Sequence, residues 1–102
     1  MSQSGTRDGD KVTVRMGKSI ATSDVGRLKT EFKGYVDEGV KTIALDCTEV
    51  EIIDSIGIGL LVATHNTLKR SDGSLVLENP SDDIRQLLAT MRLDKHFSIT
   101  GT

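Results

Sequence analysis

Apolar and polar residues alternate strictly over residues 11–16, and this period of two predicts a β-strand with one buried face. Gly17 follows as a breaker, and residues 19–23 predict a short strand or a turn. Residues 42–47 are largely apolar without alternation, which predicts a strand buried on both faces. Residues 74–78 lie between two turn signals and predict a further strand.

Apolar residues spaced three and four apart predict three helices. The first helix follows a cap at Ser23, carries Asp24 in its first turn, and ends before Gly39. The second begins near residue 54 and ends at a basic pair, and the third follows a cap at Ser81. The apolar stripes comprise Val25, Leu28, Phe32, Tyr35 and Val36 in the first helix, Leu60, Leu61, Ala63, Thr64 and Leu68 in the second, and Ile84, Leu87, Leu88 and Met91 in the third.

The order of these elements predicts a single α/β domain. Strands alternate with helices, so the sheet is expected to be mixed and mostly parallel, with about four to five strands and helices packed against it. Leu93 and residues 97–99 return the chain to the core, the latter as a possible last short strand. Residues 1–10 are small, polar and charged, which predicts a flexible lead-in before a domain over residues 11–102.

Composition narrows the classes of partner. The 102 residues suffice for one core, and 13 Lys+Arg against 15 Asp+Glu give a net charge of −2. This charge and an aromatic content of 3% argue against nucleic acid as the main partner. The single Cys47 is expected in the core, and no leader or membrane-spanning segment is visible. We therefore expect a cytoplasmic protein with no membrane insertion.

The sequence has no recognisable catalytic or metal-binding motif. The Gly57-Ile58-Gly59 segment is only a fragment of a dinucleotide fingerprint, and no P-loop is present. His65 and His96 have no metal-ligand spacing with each other or with the cysteine. Ser55 is not in a nucleophile-elbow frame. We predict no enzymatic activity, no metal site and no cofactor held by this chain.

Two polar residues interrupt an apolar passage where the second helix begins. On the structural interpretation, Asp54 or Ser55 is an N-cap, and the glycines that follow let the helix approach the sheet closely. On the functional interpretation, a serine hydroxyl at the positive end of a helix is a place where a phosphate is tolerated. Spacing alone favours the structural interpretation.

Residues 49–61, with the sequence EVEIIDSIGIGLL, follow a strand that ends in Leu45-Asp46. This segment resembles the signature of the STAS domain of bacterial anti-sigma factor antagonists. The similarity continues over nearly the whole chain, through the opening strand with Gly17, the first helix, residues 66–68 before the Asp72-Gly73 turn, and residues 91–97. In that family, the serine directly after the aspartate is phosphorylated by a partner kinase. The resemblance places this residue at Ser55.

The resemblance implies a binding module switched by phosphorylation. Its unphosphorylated form would capture an anti-sigma factor that is also an ATP-dependent serine kinase of the GHKL type, and a serine phosphatase would reset it. ATP and Mg²⁺ would belong to the kinase. The alternative is a non-switching STAS scaffold or accessory subunit of a sensor-kinase or transport system, in which Ser55 is only a cap. An enzyme is a remote third possibility.

The expected partner surface is the start of the second helix together with the segment before the first. Asp46 is expected to support the site electrostatically from its strand end. Two departures from the family are visible: residues 17–20 read Gly-Lys-Ser-Ile where a Gly-x-Leu-Asp pattern is common, and the bulky Ile56 stands where a small residue is favoured. The partner-binding residues are predicted to be Asp54, Ser55, Ile56, Gly57, Ile58, Gly59, Ser19, Thr22 and Ser23.

Overall fold

The computed structural model describes residues 5–101. The strands are β1 (Gly5–Asp8), β2 (Lys11–Arg15), β3 (Ser19–Ile20), β4 (Thr42–Asp46), β5 (Ile52–Ile53), β6 (Ser74–Glu78) and β7 (Ser98–Thr100). The helices are α1 (Thr22–Asp37), α2 (Ser55–Lys69) and α3 (Asp82–Thr90), and a 3₁₀ turn covers Leu93–Lys95.

Five strands form the main sheet in the order β1-β2-β4-β6-β7. Strand β1 is antiparallel to β2, and the remaining neighbours are parallel, which confirms the mixed, mostly parallel α/β architecture. In the central strand, Ile43, Ala44 and Leu45 are fully buried, as their lack of alternation predicted. Cys47 is also fully buried, so its predicted position in the core is confirmed.

A second, two-stranded sheet lies apart from the main one. Strand β3 pairs in parallel with β5, with Ser19 opposite Ile52 and Ile20 opposite Ile53. The sequence analysis allowed a short strand at residues 19–23 but did not predict one at residues 52–53. The pairing matters for the site because each of these strands leads directly into a helix.

The helix ends follow from local capping. Ser81 caps α3 as predicted, since its Oγ accepts from the Ile84 amide at 3.2 Å. Gly39 follows the end of α1 with φ +88°, a left-handed conformation suited to glycine. Helix α1, however, begins at Thr22 and not after Ser23, because the extended residue Ala21 precedes it and donates its amide to Asp24 Oδ2 at 3.1 Å.

Two further expectations are corrected. Residues 5–8 form strand β1, whereas a flexible lead-in was predicted there. The strand lies at the edge of the sheet and is ordered by backbone pairing with β2, with Thr6 opposite Thr13 and Arg7 opposite Val12. Such pairing does not require apolar side chains. The rest of that segment, residues 1–4, lies outside the described residues. Met91, assigned to the buried stripe of α3, is 47% exposed because the helix ends at Thr90.

Candidate functional site

The N-termini of α1 and α2 lie side by side because the two parallel strands before them are paired. Helix α1 starts two residues after β3, and α2 starts two residues after β5. Between them, the Asp54 amide donates to the Ile20 carbonyl oxygen at 3.3 Å. The positive ends of two helix dipoles therefore meet at one place on the surface.

The Asp54 side chain joins the two helices. Its Oδ1 accepts from the Gly57 amide at 2.8 Å, which makes Asp54 the N-cap of α2. Its Oδ2 accepts from the Thr22 amide at 3.0 Å and from Thr22 Oγ1 at 3.1 Å, in the first turn of α1. Of the two capping candidates, Asp54 is thus the cap and Ser55 is not.

These hydrogen bonds lower the pKa of Asp54 below its ordinary value. The Gly57 amide is the largest cause, and the Thr22 amide is the next. The carboxylate therefore stays ionised at neutral pH, and one negative charge is already present at the paired helix ends.

Ser55 is the first residue of α2, and its side chain is exposed. Since Asp54 satisfies the helix amide, the serine hydroxyl is not required for capping. The hydroxyl lies at the surface directly beside the two helix N-termini. This is the environment in which a dianionic group is accommodated with the least effect on the fold.

Two of the predicted partner-binding residues face inward. Ile58 is only 8% exposed and belongs to the hydrophobic core, so a direct side-chain contact with a partner is wrong for this residue. Gly57 is buried against β3, and a Cβ at this position would lie 1.9 Å from the Ile20 carbonyl oxygen. Gly57 is therefore a close-packing position, as the structural interpretation of the glycines predicted. Gly59 is exposed, and a Cβ built there would contact nothing within 4 Å apart from its chain neighbours and its own helix backbone.

Two isoleucines are exposed close to Ser55 in the sequence. Ile56 is 50% exposed, in the first turn of α2, and Ile52 is 61% exposed, in β5. The sequence analysis named Ile56 and missed Ile52. The sequence carries no signal for the exposure of Ile52, because its orientation follows from the alternation of side chains along the two-residue strand β5.

The segment before α1 lies beside the start of α2. Thr22 and Ser23 are exposed, and Thr22 is hydrogen-bonded to Asp54. Ser19 is half-buried, and its Oγ donates to Asp24 Oδ2 at 2.9 Å. The Asp24 carboxylate therefore organises the entry to α1, whereas the sequence analysis placed Asp24 only in the first turn of the helix.

Asp46 does not hydrogen-bond to this site. Its Oδ1 accepts from the amide and hydroxyl of Thr48, a local turn that follows the end of β4. The Thr48 hydroxyl is the largest cause of the lowered pKa of Asp46, followed by the Thr48 amide. The expected supporting role is corrected to that of a turn residue: a carboxylate at a strand end caps the nearest free amide.

The two histidines meet although they are distant in sequence. Their ring centroids are 6.0 Å apart, and the His65 ring packs edge-on against Phe97 at 5.5 Å. Among residues 5–101, no group of three or more His, Cys, Asp or Glu residues is arranged to hold a metal ion.

In the same range, no helix combines the length and apolar character needed to cross a bilayer.

The family model of the STAS domain matches residues 3–102, and the chain belongs to this family. The match begins within the segment expected to be a lead-in. The chain is 31% identical over 96 residues to the anti-sigma-B factor antagonist of Listeria monocytogenes, an alignment that covers 93% of this chain and 75% of that protein. The resemblance to anti-sigma factor antagonists is thereby confirmed.

Solved structures share the fold. The anti-sigma factor antagonist SpoIIAA in its unphosphorylated form superposes with a TM-score of 0.79 at 18% identity, covering 99% of this chain and 89% of SpoIIAA. The Bacillus cell fate determinant SpoIIAA in its phosphorylated form gives 0.77 at 19% identity, covering 98% of this chain and 92% of the other. At these identities, the likeness establishes the α/β fold alone.

Proposed function

We propose that this chain is an anti-sigma factor antagonist that binds its partner while Ser55 is unphosphorylated and releases it when Ser55 carries a phosphate. The observation that carries the proposal is the exposed Ser55 hydroxyl at the first residue of α2, beside the N-terminus of α1. The name of the Listeria relative supports the antagonist role.

The electrostatics of the site suit a switch that leaves the fold intact. A phosphate on Ser55 adds roughly −1.5 to −2 charges at neutral pH. The two helix N-termini offset part of this charge for the folded chain. A partner that covers the site would instead have to bury the phosphate next to the ionised Asp54. Desolvation and like-charge repulsion therefore oppose binding more than folding.

The exposed isoleucines give the unphosphorylated surface its affinity. Ile52 and Ile56 are large apolar side chains that remain 61% and 50% exposed in the free chain. Covering them removes apolar area from water, which contributes roughly 25 cal/mol for each Å² buried. Ser55 directly precedes Ile56. A phosphate on Ser55 would therefore hold water at the edge of the apolar contact that Ile56 makes with a partner.

The proposed role needs no catalytic group in this chain. A serine kinase of the GHKL type would be the anti-sigma partner, would hold ATP and Mg²⁺, and would transfer the γ-phosphoryl group to the Ser55 oxygen. A separate serine phosphatase would remove it. The chain contributes a positioned hydroxyl and a surface for docking, and it acts as a binding protein.

The test is incubation of the purified chain with ATP, Mg²⁺ and a candidate GHKL-type serine kinase from its own cells, followed by mass spectrometry of the intact protein and its peptides. We expect one phosphate, on Ser55, which Ser55→Ala abolishes. Ser23→Ala is the matched control, because Ser23 is an exposed serine in the first turn of the neighbouring helix. Phosphate retained by Ser55→Ala would contradict the assignment. Absence of phosphate in protein isolated from its own cells under all growth conditions would favour the constitutive scaffold.

A further inference from the structure

A groove of about 470 Å³ runs between α1 and α2 on the surface of the molecule. This volume is in the range of small-molecule sites, which span roughly 300–1,000 Å³ and have mostly apolar walls. The groove is separate from the Ser55 hydroxyl, which does not line it. Gly59 is its only lining residue among the predicted partner-binding residues, so the proposed switch does not account for the rest of the groove.

The walls of the groove are apolar. Helix α1 contributes Phe32 and Val36, and α2 contributes Leu60 and Ala63. Two threonines also line it, but neither hydroxyl needs a partner there. Thr64 Oγ1 donates to the Leu60 carbonyl oxygen at 2.8 Å, and Thr67 Oγ1 donates to the Ala63 carbonyl oxygen at 2.9 Å. A ligand in this groove would meet mainly carbon.

The charge at the edge of the groove is on the α1 side. Lys29, Lys33 and the acidic Asp37 line it, at intervals of one helical turn. Lys33 Nζ is paired with Asp37 Oδ2 at 3.0 Å. Within residues 5–101, Lys29 has no carboxylate within 4.0 Å, so its ammonium is available to an anionic ligand.

We propose that this groove binds a single-chain amphiphile with a carboxylate head, such as a medium-chain fatty acid, with the alkyl chain between the helices and the carboxylate at Lys29. The apolar walls match the alkyl chain, and the uncompensated lysine at one side matches the head. The small volume suits one chain from solution and not a bilayer surface. The proposal does not depend on phosphorylation of Ser55.

The probe is sodium decanoate, added below its micelle concentration to the ¹⁵N-labelled full chain and followed by two-dimensional NMR. We expect saturable shifts of the Gly59, Ala63 and Thr67 amides. Decanol tests the alkyl chain without charge, and decyltrimethylammonium tests the opposite charge. Decanoate is expected to bind more tightly than either, because only its head is attracted to the ammonium of Lys29.

Two variants locate the ligand. Ala63→Leu fills the groove and is expected to raise the decanoate Kd by roughly tenfold, which corresponds to about 1.4 kcal/mol. Ala89→Leu is the same change at an exposed helical position of α3 outside the groove, and it should leave the Kd unchanged. Lys29→Met should raise the Kd for decanoate by roughly threefold and leave the Kd for decanol unchanged. Thermal melts verify that each variant is folded.

Three results would overturn the proposal. The first is the absence of saturable shifts with decanoate, and the second is equal weakening by Ala63→Leu and Ala89→Leu in folded proteins. The third is self-association in sedimentation experiments that Ala63→Leu abolishes, which would assign the groove to a second copy of the chain. None of these results bears on whether Ser55 is phosphorylated, so failure here is distinguishable from failure of the proposed function.

Discussion

The carboxylate of Asp54 accepts hydrogen bonds from both the amide and the hydroxyl of Thr22, at 3.0 and 3.1 Å, while its second oxygen caps its own helix. One side chain thus fixes the start of α2 against the start of α1. Ser55 is the next residue, so the same carboxylate sets the position of the proposed phosphoacceptor. The geometry of the site therefore depends on this contact as well as on the pairing of β3 with β5.

Loss of the Asp54 carboxylate should lower stability and remove part of its dependence on acid. Because the pKa of Asp54 is lowered in the folded chain, its contribution is complete above the ordinary value of 3.8 and is lost as the pH falls through the folded pKa. We expect Asp54→Asn to melt at a lower temperature at neutral pH, and the difference from wild type to shrink as the pH falls below 3.8. Thermal melts over this pH range measure both effects.

The control for this prediction is Asp82→Asn, which also changes a carboxylate in the first turn of a helix, on α3. It should alter the melting temperature less, because Asp82 is not the cap of its helix. A constant difference between Asp54→Asn and wild type at every pH would contradict the assigned role of the charge.

Substitutions at Ser55 should change partner affinity without lowering the stability of the fold. Since Asp54 is the cap, Ser55→Ala is expected to change the free energy of unfolding by no more than about 0.5 kcal/mol and to bind the partner normally. Ser55→Asp places a charge at the favourable end of α2 and should gain about 0.3–1 kcal/mol, while partner affinity falls. Urea denaturation and a binding titration measure the two quantities. Wild-type affinity in Ser55→Asp would contradict a charge-driven switch, and unfolding of both variants would show a structural serine.

The two glycines of α2 should respond oppositely to alanine. At Gly57 the new Cβ would lie 1.9 Å from the Ile20 carbonyl oxygen, so backbone must move and we expect a loss of about 1–3 kcal/mol. At Gly59 the Cβ position is free, and Gly59→Ala should stabilise the helix by about 0.4–1 kcal/mol. Urea denaturation of both variants checks the pair. Equal effects would mean that α2 is not packed closely on β3.

His65 should make the fold sensitive to mild acid. Burial is the largest cause of its lowered pKa, followed by the charges of Lys69 and His96. The unfolded chain binds the proton more readily, so stability falls as the pH decreases below the ordinary value of 6.5. We expect the melting temperature of His65→Phe to fall less than that of wild type as the pH decreases below 6.5. The control His96→Gln should keep most of the wild-type decrease. A wild-type decrease of the melting temperature in His65→Phe would assign the acid sensitivity to another group.

The regular parts of the fold could be predicted because the pattern of apolar and polar residues extends over the whole element. Strand β6 and the cap at Ser81 are where the sequence analysis placed them. The two-residue strand β5 is too short to carry a period, and β1 is an edge strand ordered by its partner's backbone. Neither has a signal of its own in the sequence.

The start of α2 was predicted to within a turn of helix, but which of its side chains face outward was not. Which residues of α2 face outward depends on where the helix begins, and two adjacent polar residues left that choice open. With Asp54 as the cap, Ile56 is exposed and Ile58 enters the core. The contact of Asp54 with Thr22 joins residues 32 positions apart, a relation that requires the pairing of β3 with β5.

The exposed isoleucines provide the sharpest test of the partner surface. Ile56→Asp introduces a charge where apolar area would be buried, so we expect partner affinity to fall by roughly tenfold or more, as for a residue that contributes over about 1.4 kcal/mol. Ile52→Asp should act in the same direction. Because both side chains are at least half exposed, the folded state should persist.

Met91→Asp is the matched control, since Met91 is 47% exposed at the other end of α3 from its Ser81 cap. It should leave affinity unchanged. Ile58→Asp should instead unfold the chain, because the carboxylate would enter the core at a position only 8% exposed. Calorimetric titration of the kinase partner, with circular dichroism to verify folding, measures these effects. Equal affinity for Ile56→Asp and Met91→Asp would move the partner surface away from the start of α2, whatever the phosphorylation state of Ser55.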